Sequence, residues 1–147
     1  MAHPDLNALL NDLLSRAKRL LSELGEFYPF GSTMAADGKI AWYGAYDGRD
    51  RPPSQPLIDM MTRAFHDKAG SGAISAASIC YDVRTIPPGQ TGKCDAVCMA
   101  MEHQSGESVE VYAPYRKTAS GSFEYGQLFA SRRTPQFFVH KKGSDPA

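Results

Sequence analysis

Leucine recurs at positions 6, 9, 10, 13, 14, 20, 21 and 24, with Ala17 in the gap, which is the i, i+3, i+4, i+7 spacing of an amphipathic helix. A chain with such a stripe must also supply a flat apolar surface for it to cover. Asp5 is expected as the N-cap and Gly25 as the stop. At 1.5 Å per residue, a helix over 5–24 runs about 30 Å, enough to cross a whole sheet. Burying most of these leucines at roughly 1.5–3 kcal/mol each makes the helix a main contributor to the core.

The remainder reads mostly as strand. From Phe27 to Asp47 the residues turn aromatic and β-prone, and Asp37-Gly38 sits where a two-residue hairpin turn belongs. That register pairs Met34 with Ala41, Ser32 with Tyr43 and Thr33 with Trp42. It places Tyr28, Phe30 and Tyr43 on one face, and Phe27, Trp42 and Tyr46 on the other. A charged, proline-stopped loop is expected at 47–53, then a second helix from Ser54 with Leu57, Ile58, Met61 and Phe65 on one stripe and Gly70 and Gly72 at its end. Four strands follow, Ala73–Thr85, Lys93–His103, Glu107–Tyr115 and Ser122–Ser131, joined by connections short enough for an antiparallel meander. Phe137, Phe138 and Val139 form a possible last strand, and residues 140–147 are expected to fray.

The order α-β-β-α-β-β-β-β defines a single α+β domain over 1–147. Its one twisted antiparallel sheet is expected to carry the helices mainly on one face. Along Lys93–His103, Cys94, Ala96, Cys98 and Ala100 face one side, where small residues let a helix approach. Val97, Met99 and Met101 face the other and need cover. With only two helices to distribute, a second copy of the chain, a folded-over hairpin or a bound partner is the expected cover, and the homodimer, with these three residues as its interface, is the preferred expectation.

Charge and composition exclude several classes. Lys+Arg and Asp+Glu are 16 each, which argues against nucleic-acid binding by general electrostatic attraction. Polar residues such as Asn7, Asn11, Asp12, Arg16, Lys18 and Arg19 interrupt the N-terminal leucines, so a signal peptide or membrane anchor is not expected. Three cysteines, Cys80, Cys94 and Cys98, are an odd count without metal-knuckle spacing and fit a reducing cytoplasm. Cys94 and Cys98 lie too far apart along a strand to share a metal or form a bridge, whereas a symmetric turn at Pro87-Pro88-Gly89 sets Cys80 opposite Cys98.

No nucleophile-elbow, phosphate-loop or dinucleotide motif is present, and His3, His66, His103 and His140 form no H-E-x-x-H or Cys/His group. No catalytic residue, cofactor or metal is expected. Glu102-His103 reads like an acid-base pair, but neighbours on a strand point to opposite faces. The aromatic segments around Tyr28 and Phe30, Trp42 and Tyr43, and Tyr115 stand out most. Together with Glu102 and His103 they are the expected binding residues, by virtue of large contact area with polar tips.

Glu26-Phe27-Tyr28-Pro29-Phe30-Gly31, Asp37-Gly38, Met101-Glu102-His103 and Ala113-Pro114-Tyr115 resemble a pattern found in a group of small uncharacterised bacterial proteins of about this length. In layout the chain is also similar to the α+β immunity proteins of bacterial toxin systems. That resemblance implies binding of a toxin domain without catalysis, and it carries no site residues over. Two functions are therefore expected. The first is a non-catalytic, cytoplasmic protein-binding domain of immunity or chaperone type. The alternative is a small-molecule-binding or enzymatic domain, with a pocket between the sheet and the long helix lined by Trp42, Tyr43, Tyr115, Glu102 and His103.

Overall fold

The leucine stripe forms α1 (Pro4–Leu24), burying Leu6, Leu9, Leu13, Ala17 and Leu21. It is capped by His3 rather than by Asp5: the His3 ring accepts the Asp5 N–H at 3.0 Å, and Pro4 takes the first helical position, where a missing N–H costs nothing. Gly25 ends the helix as expected, at φ 77° with its N–H on the Leu21 carbonyl. The computed structural model describes residues 3–44 and 53–139. Residues 47–52 of the expected loop at 47–53, Tyr46 and the tail at 140–147 lie outside the described residues. Among the described residues no helix is long and apolar enough to cross a membrane.

β1 (Phe30–Met34) and β2 (Ile40–Gly44) form the expected hairpin, but through a different turn. The Ala35 N–H bonds to the Lys39 carbonyl and the Gly38 N–H to the Ala35 carbonyl, both at 2.9 Å, with Gly38 at φ 89°. Asp37-Gly38 is thus the end of a three-residue loop, a type I turn closed by a left-handed glycine. Pairing runs Met34 with Ile40 and Ser32 with Trp42, one residue from the expected register, so every side chain of β2 changes face. Trp42 joins Phe30, with ring centroids 6.1 Å apart, while Tyr43 turns to the opposite side.

The second helix, α2 (Ser54–Gly70), buries Leu57, Met61 and Phe65 from the expected stripe. β3 (Ala76–Thr85), β4 (Cys94–His103) and β5 (Ser108–Lys117) then form the meander. The expected fourth strand is split into β6 (Phe123–Tyr125) and β7 (Phe129–Arg132), both paired with β5. Pro114 explains the break. Its carbonyl accepts the Gly126 N–H at 2.8 Å, so the donor that proline lacks would have faced the same neighbour. Tyr115 pairs with Tyr125 but Tyr112 with Phe129, which inserts one extra residue opposite Ala113-Pro114 as a bulge. The sheet is open, in the order β2-β1-β3-β4-β5-β6, with β7 beside β5.

The architecture is α+β with a long helix, a hairpin, a second helix and an antiparallel meander, as expected. The helices, however, do not share a face. α1 lies over β1, β3 and β4, and its leucines pack on Phe30, Met34, Ala76, Cys80, Val97, Met99 and Met101. Val97, Met99 and Met101, expected as a dimer interface, are therefore covered by the chain itself, at 0%, 0% and 1% exposure. The large residues of β4 belong with the leucine stripe because both offer branched or flexible apolar bulk along a full helix length.

α2 covers part of the other face, over β1 and β3. Phe65 lies so close to Gly31 that a Cβ there would stand 2.9 Å from its ring and 2.7 Å from the Ser78 carbonyl. The close approach expected over the small residues of β4 thus occurs at Gly31 and Ala77 instead. In the observed register Cys98 pairs with Tyr81 and Cys80 with Met99, so Cys80 and Cys98 point to opposite faces and cannot bridge as the symmetric turn implied. All three cysteines are free.

Candidate functional site

The residues expected to bind do not converge. Phe30, Trp42, His103 and Tyr115 belong to the α1 face, Tyr43 and Glu102 to the α2 face, and Tyr28 lies exposed before β1. Beneath α1, Leu6, Leu9 and Leu13 pack closely on the buried sheet residues of the same core, Val97 and Met99 among them. Trp42, at 50% exposure, carries the Arg16 guanidinium 5.1 Å from its ring centroid. Tyr43 meets Phe65 edge to face at 5.4 Å. Tyr115 donates its hydroxyl to Asp82 Oδ1 at 2.8 Å, and burial, followed by the Asp82 bond and charge, pushes its ionisation up.

Glu102 and His103 are neighbours on β4 with separate tasks. His103 Nε2 lies 2.9 Å from Asp5 Oδ2, its Nδ1 accepts the Ser105 N–H, and its ring stacks on His3 with centroids 3.8 Å apart. The His3 N–H donates to Glu107 Oε2 at 3.0 Å. This network straps the start of α1 to the β4–β5 turn. His3, Asp5 and His103 bring ligating atoms within 4.8 Å of one another, a grouping that sequence spacing did not show and that a divalent cation could use. Hydrogen bonding opposes that use. Both imidazole Nδ1 atoms accept a backbone N–H, so each neutral ring carries its proton on Nε2. A metal at His103 Nε2 would require an imidazolate or the loss of these bonds.

Glu102 is fully buried, and its two oxygens take four donors: Arg133 Nε (3.0 Å) and the Gln136 N–H (2.8 Å) on Oε2, the Phe137 N–H (2.8 Å) and the Phe138 N–H (3.2 Å) on Oε1. It anchors the segment after β7 to the α2 face. Phe137 is buried and completes the anchor, meeting Phe65 edge to face at 5.6 Å.

Between these two covers the face stays open. α2 lies mainly over β1 and β3, and the anchored segment spans the ends of β4 and β5, leaving a pocket of about 250 Å³. Ile79 and Ala100 line it from the sheet. Gln55, Asp59 and Thr62 come from α2, Tyr81 and Glu110 from β3 and β5, and Arg133 and Gln136 from the anchored segment. Next to it runs the cross-strand row Tyr81, Cys98, Tyr112 and Phe129. Tyr112 donates to Glu110 Oε2 at 2.6 Å and stacks on Phe129 at 4.9 Å. Burial pushes the Cys98 thiol up to about 11, against the opposing pull of its hydrogen bond with the Tyr81 hydroxyl. Burial likewise raises the ionisation of Tyr81 and Tyr112, reinforced by the neighbouring thiol and by Glu110. These groups keep their protons at neutral pH, so the row offers hydrogen bonds rather than a nucleophile.

Two other hollows, at Pro87, Pro114 and Tyr125 and over Val109, Val111 and Ala130, are mostly apolar. None of Asp59, Tyr81, Glu110, Arg133 or Gln136 was among the expected site residues. The available signal was alternation: from Cys98 outward, the small face of β4 shares its register with Tyr81 and Tyr112 and with Glu110. No protein family, curated protein or solved structure matches the chain.

Proposed function

We propose that the chain is a non-catalytic binding domain whose ligand site is the polar pocket on the α2 face. The observation that supports this is the convergence of Asp59, Tyr81, Glu110, Arg133 and Gln136, drawn from helix, strands and C-terminal segment, over an apolar floor of Ile79 and Ala100. A pocket of 250 Å³ is at or below the small end of the ~300–1,000 Å³ occupied by drug-sized ligands, so its occupant is a small molecule or one side chain. Binding rather than turnover fits the chemistry present. Glu102 has its lone pairs filled, the Cys98 thiol is protonated, and His103 is on the other face. The small-molecule expectation is thereby moved from the α1 side to the α2 side. A cytoplasmic setting fits the three free thiols.

The test is a fragment screen by protein-observed NMR. Hits whose shifts cluster at Tyr81, Ala100 and Gln136, and vanish in Tyr81→Phe or Glu110→Gln, support the site. Hits that cluster only elsewhere refute it.

A second reading, protein binding of immunity or chaperone type, has its own observation. Among the described residues nothing pairs with the outer edge of β2, whose Ile40 and Trp42 are 38% and 50% exposed. The strand carries no charge, proline or bulge to block pairing. In this reading a partner, a second copy included, adds a strand there. Light scattering that gives about twice 16.0 kDa for the wild type and a monomer for Trp42→Glu supports self-pairing; a monomer in both removes the homodimer.

A further inference from the structure

We infer that the ligand of the α2-face pocket presents a cation, an alkylammonium or a guanidinium; this rests on the pocket being the binding site. The charges lining it do not cancel. Among the described residues Asp59 and Glu110 face one lining cation, Arg133, and that guanidinium is already committed to Glu102 at 3.0 Å, with both side chains almost wholly buried. It approaches Glu110 Oε1 only to 3.7 Å and lies 5.2 Å from the Phe137 ring centroid. The Nη donors of Arg133 remain, but its charge is balanced by Glu102, so Asp59 and Glu110 set the sign of the pocket.

The hydrogen-bonding capacity leans the same way. Glu110 has Tyr112 on Oε2, and among the described residues its Oε1 has only the Arg133 Nη1 contact at 3.7 Å. Asp59 receives Gln55 Nε2 on Oδ1 at 2.9 Å, and among the described residues its Oδ2 takes no hydrogen bond. The pocket thus holds two half-satisfied carboxylates on opposite walls, α2 and β5. The Tyr81 ring and the Ile79 and Ala100 floor can take an aliphatic stem between them. A donor-rich positive head on a short apolar stem satisfies each of these groups, while a carboxylate or phosphate would meet like charge from both walls. The volume suits such a ligand as a free amine or as a basic side chain on a peptide.

The experiment is an amide-shift titration of the full chain with four probes at constant ionic strength: agmatine, the tripeptide amide acetyl-Gly-Arg-Gly, glutarate and inorganic phosphate. The expected result is saturable shifts at Tyr81, Ala100 and Gln136 with one or both cationic probes and none with the anions. Affinity should fall about tenfold or more in Glu110→Gln and in Asp59→Asn, the loss expected for one charge-assisted bond. Tighter binding of the tripeptide places the cation on a partner's chain, and tighter binding of agmatine places it on a free small molecule; either supports the inference. Asp59 is exposed on α2, so its variant keeps the fold if Glu110→Gln does not. Pocket shifts with glutarate or phosphate alone overturn the cation but leave the pocket reading standing. Pocket amides that no probe moves, with fragment hits confined elsewhere, overturn both.

Discussion

The two faces of this sheet are covered in opposite ways. Beneath α1 the contact is continuous and apolar, with Leu6, Leu9, Leu13 and Ala17 and the Val97 and Met99 they cover all at 0% exposure. Beneath α2 the contact is short, centred on Phe65 over Gly31, and the rest of the cover is a C-terminal segment held by one carboxylate. A helix of 21 residues and one of 17 differ by only about 6 Å in length at 1.5 Å per residue, so reach is not the cause. β4 presents Val97, Met99 and Met101 to α1, and Ala96, Cys98, Ala100 and Glu102 to the other side. A face built from Ala, Cys, Tyr and Glu gives a helix little to bury. Stability is concentrated on one side, and room for a ligand is left on the other.

The largest expected effect breaks the point anchor of the open face. Glu102→Ala leaves Arg133 and three backbone N–H groups without their partner, and should cost about 3–5 kcal/mol. In hydrogen exchange the amides of Gln136, Phe137 and Phe138 should lose protection first. Retained protection there would mean that Phe137 alone holds the segment.

On the closed face the loss should be similar per side chain but spread through the whole core. Leu13→Ala is expected to remove about 2–5 kcal/mol, read as a lower guanidinium midpoint with an unchanged slope. Preferential exposure of α1 alone would show that the helix is not part of one cooperative unit.

Alkali should act through the buried hydroxyls and thiols. In the unfolded chain cysteine ionises near 9.0, while in the fold Cys98 keeps its proton to about 11, and Cys80, Tyr81, Tyr112 and Tyr115 are shifted upward too. Above the unfolded values the unfolded chain holds fewer protons than the fold, so stability falls as pH rises from about 9, by up to about 1.4 kcal/mol per pH unit for a single group. Denaturant midpoints measured from pH 8 to 11 should decline, and Cys98→Ala should flatten that decline. A flat wild-type profile would contradict the burial of these groups.

The smallest effect is expected in the pocket itself. Asp59→Asn should change stability by less than about 0.5 kcal/mol, because Asp59 is exposed and its side-chain partner among the described residues is Gln55. A larger loss would make the carboxylate structural and blur the contrast between the faces.

Much of the architecture was legible in the residues. The leucine period marks α1 and its glycine stop, Leu57, Met61 and Phe65 mark α2, and alternating apolar runs mark the meander. What escaped depended on one-residue choices. Asp37-Gly38 fits either a two- or a three-residue turn, and the observed turn moved Trp42 and Tyr43 to opposite faces. The same parity separated Cys80 from Cys98. Element order also did not show that α1 itself covers Val97, Met99 and Met101. The pocket was hidden for a related reason. Arg133 and Gln136 lie in a segment that reads as a strand breaker, and only the tertiary anchor at Glu102 brings them over the sheet.

That anchor also has a chemical meaning of its own. Successive backbone amides converging on one point form the kind of nest in which proteins elsewhere seat a phosphate or sulfate. Here the Gln136, Phe137 and Phe138 amides close on a carboxylate belonging to the same chain, 34 to 36 residues upstream. The anion is tethered, so its effective concentration exceeds what a free competitor reaches in solution. The nest is a receptor whose ligand was supplied at synthesis, and dialysis cannot empty it.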